Sequence, residues 1–232
     1  MIPQLTSYLK EFITPGRFEL LQRILENRTR YITVALEDIF QPQNASAVVR
    51  SCDCFGIHDL HTIETRNDYI IDREVAMGSD KWVNVMKYHS QTQTSLNVLN
   101  QLRNDGYRIV ATTPRSGSIA LDDFDLKAGK VALFFGTELT GLSPTILDHA
   151  DEYLKIPMYG FTESFNISVS VAIILHHLNL QLRHSDIVWQ LPQHEKELIL
   201  YRWVKASVKK VDLILDKYCQ QNNLSFSQVI KI

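Results

Sequence analysis

Apolar and polar positions alternate along the chain in blocks that predict short buried strands separated by helices. Tyr31–Leu36 (YITVAL), His58–Ile63, Val83–Tyr88, Tyr107–Thr112 (YRIVAT), Lys130–Phe135 (KVALFF) and Tyr153–Ile156 are β-branched or aromatic runs without internal Gly or Pro. Between them lie helical patterns. Ala45, Val48, Val49 and Cys52 recur at i, i+3, i+4 and i+7, which predicts a helix with Asn44 or Ser46 near its N-cap, ending before Gly56. On that helix Ser46, Arg50 and Asp53 fall off the apolar face. A second helix over Ser95–Asn104 stops at Gly106, and a third, Ser143–Asp148, begins with Ser143 as N-cap and Pro144 in its first turn. From Asn166 to about Leu182 the pattern is apolar nearly all round, so that helix must be buried against the sheet or against another subunit. A charged helix then runs from His194 to about Gln220. At the other end, residues 4 to 29 are helical in pattern, interrupted at Pro15-Gly16, with a stripe of Phe18, Leu21, Ile24 and Leu25.

Strands that read as continuous apolar runs, alternating with helices, imply an α/β domain with a mostly parallel sheet. The expected layout is an N-terminal helical arm over residues 1–30, an α/β domain over 31–184 and a C-terminal helical extension over 185–232.

Composition narrows the class. A chain of 232 residues, 45% of them apolar, can bury one sizeable core. Its formal charge of −2 gives no global sign of a nucleic-acid binder, so any such role rests on local patches. Four arginines (Arg17, Arg23, Arg28, Arg30) give the N-terminal arm a basic character, and Arg202, Lys205, Lys209 and Lys210 cluster near the other end. The first reads by default as a solvated helix face, with a phosphate-contacting arm as the sharper alternative, and the second reads equally as either. Three cysteines, Cys52, Cys54 and Cys219, cannot build a disulfide framework and fit a reducing compartment. With no signal-peptide core and no apolar run of about twenty residues, a cytoplasmic protein with no membrane partner is expected. The sequons at Asn27, Asn44, Asn166 and Asn223 are then chance matches.

Candidate chemistry gathers between Leu133 and Ala172. Two Gly-punctuated loops, Gly136 to Gly141 and Pro157 to Asn166, carry Glu138, Thr140, Ser164 and Asn166. The first loop continues into Leu142-Ser143, one residue from a phosphate-binding loop. Leu142 stands where the lysine is required, and Glu138 would repel phosphate. No dinucleotide fingerprint follows any strand and no nucleophile elbow is present. His58, His61, His89, His176 and His177 lack the spacing of metal ligands, so no metal is expected. What remains is a small-molecule pocket built from loop backbone and small polar side chains.

Three segments, taken in order, resemble the three motifs of the SpoU-type RNA 2′-O-methyltransferases. They are Asn44-Ala-Ser-Ala-Val-Val-Arg50 followed by Gly56, FFGTELTGLSPTILDHAD at 134–151, and IPMYGFTESFNISVSVA at 156–172. The resemblance covers residues 31 to 182. It implies a fold that strand and helix patterns do not reach, an α/β domain with a C-terminal deep trefoil knot that binds S-adenosyl-L-methionine and acts as a homodimer. It also assigns roles. Arg50 matches the presumed catalytic arginine, Asn44 its companion in the first motif, Glu138 the acidic position of the second, and Ser164 with Asn166 the polar pair of the third. Thr112, Gly136, Ile156 and Phe165 match the cofactor-contacting positions. Phe165 replaces a common Leu, and Thr137 stands where many members have Asn or Gln.

Within that family, the short N-terminal arm, Gly78-Ser79-Asp80-Lys81-Trp82 and the charged C-terminal helices resemble the tRNA guanosine-18 2′-O-methyltransferases. The implied partner is tRNA. Methylation of ribosomal RNA or of another tRNA position, and a non-catalytic RNA-binding knot protein, stay open as alternatives, the second opposed by the intact set Asn44, Arg50, Glu138, Ser164 and Asn166.

Overall fold

The structure is a computed structural model that describes residues 1–89 and 94–225; the last seven positions of the expected C-terminal extension lie outside it. The chain divides into two compact units, one from Thr29 to Gln190 and one pairing Met1–Arg28 with the chain from Leu191 onward.

The larger unit is an α/β layer structure. Its seven strands are β1 (Ile32–Glu37), β2 (Asp59–Glu64), β3 (Asn84–His89), β4 (Arg108–Thr112), β5 (Ile119–Ala120), β6 (Val131–Phe135) and β7 (Glu152–Lys155). They form one sheet in the order β3-β2-β1-β6-β4-β7-β5, and every pairing is parallel. Burial of both faces explains why the strands read as continuous apolar runs. One face, with Ile32, Val34, Leu36, Leu133 and Phe135, packs under α3 (Pro42–Cys54) and α7 (Ile167–Arg183). The other, with Ala35, Ile109, Ala111, Ala132 and Phe134, packs under α5 (Thr94–Asn104) and α6 (Pro144–His149).

Strand β7 is laid between β4 and β5, although β4 and β5 are consecutive in the chain. A two-residue strand is too short to leave a periodic signature, and the sequence pattern predicts no strand between Tyr107–Thr112 and Lys130–Phe135. Helix α3 also departs from expectation. It starts at Pro42, with Gln41 at the N-cap, because the fixed φ of proline suits the first helical position. Asn44 therefore sits inside the first turn, its side chain directed elsewhere. Ser46, read as off the apolar face, is fully buried, and its Oγ accepts the Asp72 N–H at 2.7 Å.

Helix α7 buries Val171, Ile174, Leu175, Leu178 and Leu182, while Val169 and Leu180 stay exposed. Short α4 (Arg73–Ala76) follows Asp72, which caps it. Among the described residues no helix is long and apolar enough to cross a membrane. All three cysteines are free thiols.

The smaller unit contains α1 (Ile2–Leu9), α2 (Pro15–Leu25), α8 (Gln193–Ser207) and α9 (Val211–Asn222). The single C-terminal helix expected from charge pattern is two helices. The chain breaks at Val208–Lys210, where Lys210 takes a left-handed φ of 53°. Arg28, offered as part of a basic arm, is only 1% exposed and lies 5.1 Å from the centre of the Trp203 ring. In the larger unit, Arg30 Nε donates to Asp59 at 2.7 Å. These two arginines are therefore structural, which halves the expected arm.

Candidate active site

The carboxyl ends of β4, β6 and β7 open onto a cavity of about 380 Å³. Parallel sheets place ligand sites at this edge because the loops leaving the strands converge there. Leu154, Ile167 and Ile174 give the cavity an apolar floor, and its rim carries Arg115, Lys155, Glu138 and Glu163. Thr112, Gly136, Ile156 and Phe165, the four positions matched to cofactor contacts, all line it, as do Glu138 and Ser164. Thr112 is fixed by its hydroxyl, which donates to Phe134 O at 2.8 Å on the neighbouring strand.

The loop after β6 is closed on itself. Thr137 N donates to Gly141 O at 3.1 Å, and Gly141 N returns a bond to Thr137 O at 3.0 Å. Gly141 turns the chain with φ of 68°, a conformation that costs a residue bearing Cβ. Gly136 is needed for a different reason, since a Cβ there would stand 2.1 Å from the carbonyl carbon of Gly141. The Thr137 and Thr140 hydroxyls are 2.7 Å apart across the loop.

Glu138 projects from this loop and joins the other two motifs. Its Oε1 accepts the Asn44 side-chain amide at 2.8 Å and the Asn166 side-chain amide at 2.8 Å. Asn166 Nδ2 also donates to Asn44 Oδ1 at 3.0 Å. Charge-assisted bonds of this kind are roughly twice as strong as neutral ones. Asn166 has a second task as N-cap of α7, where its Oδ1 accepts Ser168 N at 2.9 Å. One amide therefore starts the helix with its oxygen and ties the motifs with its nitrogen. Asn44 lies outside the cavity lining and donates as well to Gln41 Oε1 at 3.0 Å, a partner the sequence reading did not single out.

Arg50 lies two turns along α3, exposed, and is not among the residues lining the cavity. Its guanidinium donates to Val75 O at 3.4 Å, a long bond. Ser164 is on the cavity wall, two residues before the cap. The geometry thus gathers Asn44, Glu138 and Asn166 directly, places Ser164 on the wall beside Glu138, and leaves Arg50 apart.

Sequence reasoning missed Arg115, Lys155 and Glu163. The available signal was position, because Arg115 closely follows β4, Lys155 ends β7, and Glu163 lies in the Pro157 to Asn166 loop already singled out. Away from this site, Glu64, Asp68 and His89 bring possible ligand atoms within 4.8 Å of one another at the ends of β2 and β3, although His89 had no ligand spacing in sequence. There His89 Nδ1 is 3.1 Å from the Glu64 carboxylate, which accounts for the cluster as an ion pair when the imidazole is protonated.

The model of the SpoU rRNA Methylase family matches residues 31–176. A tRNA (guanosine(18)-2′-O)-methyltransferase of Borreliella burgdorferi is 43% identical over 89% of this chain and 92% of its own length. One of the same name from Aquifex aeolicus is 32% identical over 87% of this chain and 95% of its own. Among solved structures, the TrmH/SpoU tRNA modifying enzyme of A. aeolicus superposes with a TM-score of 0.75 and 31% identity, over 84% of this chain and 98% of that one. A match to the family model across the sheet, the Gly136 loop and the start of α7, together with a relative 43% identical over most of the chain, establishes that this chain belongs to the SpoU methylase family.

Proposed function

We propose that the protein methylates the ribose 2′-hydroxyl of guanosine 18 in tRNA, using S-adenosylmethionine. The observation that carries this reading is the three-way junction of Asn44, Glu138 and Asn166 at the rim of a cavity lined by Thr112, Gly136, Ile156 and Phe165. Two relatives that span nearly the whole chain are named for that reaction.

The residues suit the cofactor. A cavity of about 380 Å³ is within the usual range for a small-molecule site. Its apolar floor suits an adenosyl group, and Glu138 and Glu163 on its wall suit a ligand carrying positive charge. When bound, S-adenosylmethionine supplies a methyl group already activated on a sulfonium. The protein then has to align the hydroxyl and stabilise the charge that develops as its proton leaves.

Arg50 is our candidate for the second task. A guanidinium is charged at all working pH values and presents a planar fork of donors. It serves as an anchor for the adjoining phosphate and as a stabiliser of alkoxide charge rather than as a base. Glu138 holds Asn44 and Asn166 in register, so α3, which carries Arg50, and α7, which carries the second half of the pocket, keep a fixed relation.

The active form in this reading is a homodimer. The exposed apolar Val169 and Leu180 of α7 offer it a surface, and the absence of Arg50 from the residues lining the cavity supports its completing the partner's site. We further propose that the larger unit carries the deep trefoil knot of the family. Support comes from β7, which enters the sheet between β4 and β5, two strands the chain has already joined through 113–118. The reading places the protein in the cytoplasm with its substrate.

For tRNA contact, Arg202, Lys209 and Lys210 are all exposed, the two lysines at the break between α8 and α9. If three to four phosphates are held, affinity should fall roughly 40–150-fold between about 50 and about 200 mM salt. Charge reversal at Lys209 and Lys210 should lower the logarithmic salt slope by about two. A flat response in filter binding would remove these helices from the interface.

The decisive experiment maps 2′-O-methylation in tRNA from cells with and without the gene. Loss of the mark at guanosine 18 is expected. An unchanged guanosine 18 with loss elsewhere would reassign the substrate, and no S-adenosylmethionine binding by calorimetry would exclude the enzyme.

A further inference from the structure

The carboxylate of Glu37 is buried, with the residue only 5% exposed, at the carboxyl end of β1. Its neighbours are neutral donors. Ser143 N donates to Oε2 at 2.8 Å, Ser143 Oγ to Oε1 at 2.7 Å, and Ser95 Oγ to Oε1 at 2.7 Å. Burying a carboxylate is costly, so this arrangement must be held by its bonds.

The place of these bonds matters more than their number. Strand β6 runs beside β1 with Phe135 opposite Leu36, so the chain enters the Gly136 loop next to Glu37. After closing on itself at Thr137 and Gly141, the loop returns at Ser143, where Glu37 binds both backbone and hydroxyl. The outgoing end is thus fixed by the β1–β6 ladder, and the returning end by the Glu37 carboxylate together with Leu142, which is buried in the core on the α5 and α6 side of the sheet. The same Ser143 hydroxyl caps α6 by accepting Ile146 N at 3.3 Å. Ser95, at the start of α5, steadies the carboxylate from the far side.

We propose that Glu37 is a positioning residue for the cofactor loop: its anchoring of Ser143 to β1 holds Gly136 at the cavity and Glu138 under Asn44 and Asn166. This rests on the methyltransferase reading for its functional consequence, and on the loop geometry alone for the anchoring itself. Glu37 touches no substrate; its effect passes through Ser143.

Glu37→Gln keeps the shape and removes the charge from the bonds. Amide hydrogen exchange over residues 137–143 should quicken at least tenfold, while β1 and β6 keep their protection. In titration calorimetry and steady-state kinetics, Kd for S-adenosylmethionine should rise about tenfold, the loss expected for weakening a bond to a charged group. KM for tRNA should stay within about twofold of wild type. Unchanged exchange in the loop overturns the anchor whatever the protein catalyses. Faster exchange with unchanged cofactor Kd, or an equal rise in KM for tRNA, overturns its role at the cofactor site. If wild type itself binds no S-adenosylmethionine, the methyltransferase reading fails while the exchange result still decides the anchor. Should Glu37→Gln not fold, Ser143→Ala removes the hydroxyl half of the contact, and faster loop exchange with weaker cofactor binding is again expected; wild-type values for both would refute the proposal.

Discussion

Arg50→Ala is expected to lower kcat for tRNA methylation by about 10²–10³-fold, the usual loss when a preorganised donor to developing charge is removed. Kd for S-adenosylmethionine should stay within about twofold, because Arg50 is not among the residues that line the cavity. The split follows from where the side chain is. It is exposed on α3 and, among the described residues, makes one long bond to Val75 O, which leaves the guanidinium fork available to a bound ribose phosphate. Arg50→Lys sharpens the test. Lysine keeps a positive charge but loses the planar fork, so most of the rate loss should persist. A near wild-type single-turnover rate for the lysine variant would count against a role for the guanidinium in stabilising the alkoxide. Mixing Arg50→Ala with a variant impaired only in cofactor binding adds a further check, since one restored site per dimer appears only if Arg50 acts across the interface.

Gly136→Ala should weaken cofactor binding by on the order of 10²-fold or more, with little harm to the sheet. The added methyl would stand 2.1 Å from Gly141 C, 2.2 Å from Gly141 O and 2.3 Å from Leu142 N, all backbone atoms. No rotamer can relieve such a clash, so the loop must open. Opening breaks the paired bonds between Thr137 and Gly141 and carries Glu138 away from Asn44 and Asn166. Losing that geometry should cost at least 3 kcal/mol of binding, on the order of 10²-fold in Kd. Circular dichroism should remain close to wild type, because the strand ladders end at Phe135. Tight binding by this variant would mean that the loop does not contribute to the cofactor pocket. Gly141→Ala is a useful contrast, since nothing lies within 4 Å of its added Cβ and only the positive φ opposes it. A loss of roughly tenfold, from about 1–2 kcal/mol of left-handed strain, is expected there.

Much of the fold was legible because its causes are local. Strands β1 and β6 are apolar β-branched runs, and α6 announces itself by Ser143 and Pro144, which the structure uses as N-cap and first residue. The parallel sheet was readable because strands buried on both faces show no polar alternation. Where local signals compete, the reading slipped. Asn44 looks like a helix cap in sequence, yet Pro42 starts the helix earlier and frees the Asn44 amide for Glu138. Lys210 looks like one more helical lysine, but its left-handed backbone divides the C-terminal helix.

The site shows the same division. From residues alone, the Gly136 loop was a pocket wall without a phosphate cradle, and it was the resemblance of three motifs in order to a known family that implied a methyltransferase. Residues 44 and 138 are 94 apart in the chain, and 44 and 166 are 122 apart, so no periodicity relates them. Their meeting depends on β6 lying beside β1 and on β7 entering between β4 and β5. Glu37 illustrates the limit most clearly. It lies one residue beyond the strand predicted at Tyr31–Leu36 and carries no sequence signal of its own, and only the return of the chain at Ser143 makes it a buried anchor. Secondary elements, sheet class and the chemical character of the loops were set by the residues alone, since those follow from side-chain size, branching and polarity over a few neighbours. Which polar groups share a bond and which stand apart was left to the tertiary fold, because hydrogen bonds are short-ranged and only the strand order brings distant residues within their reach.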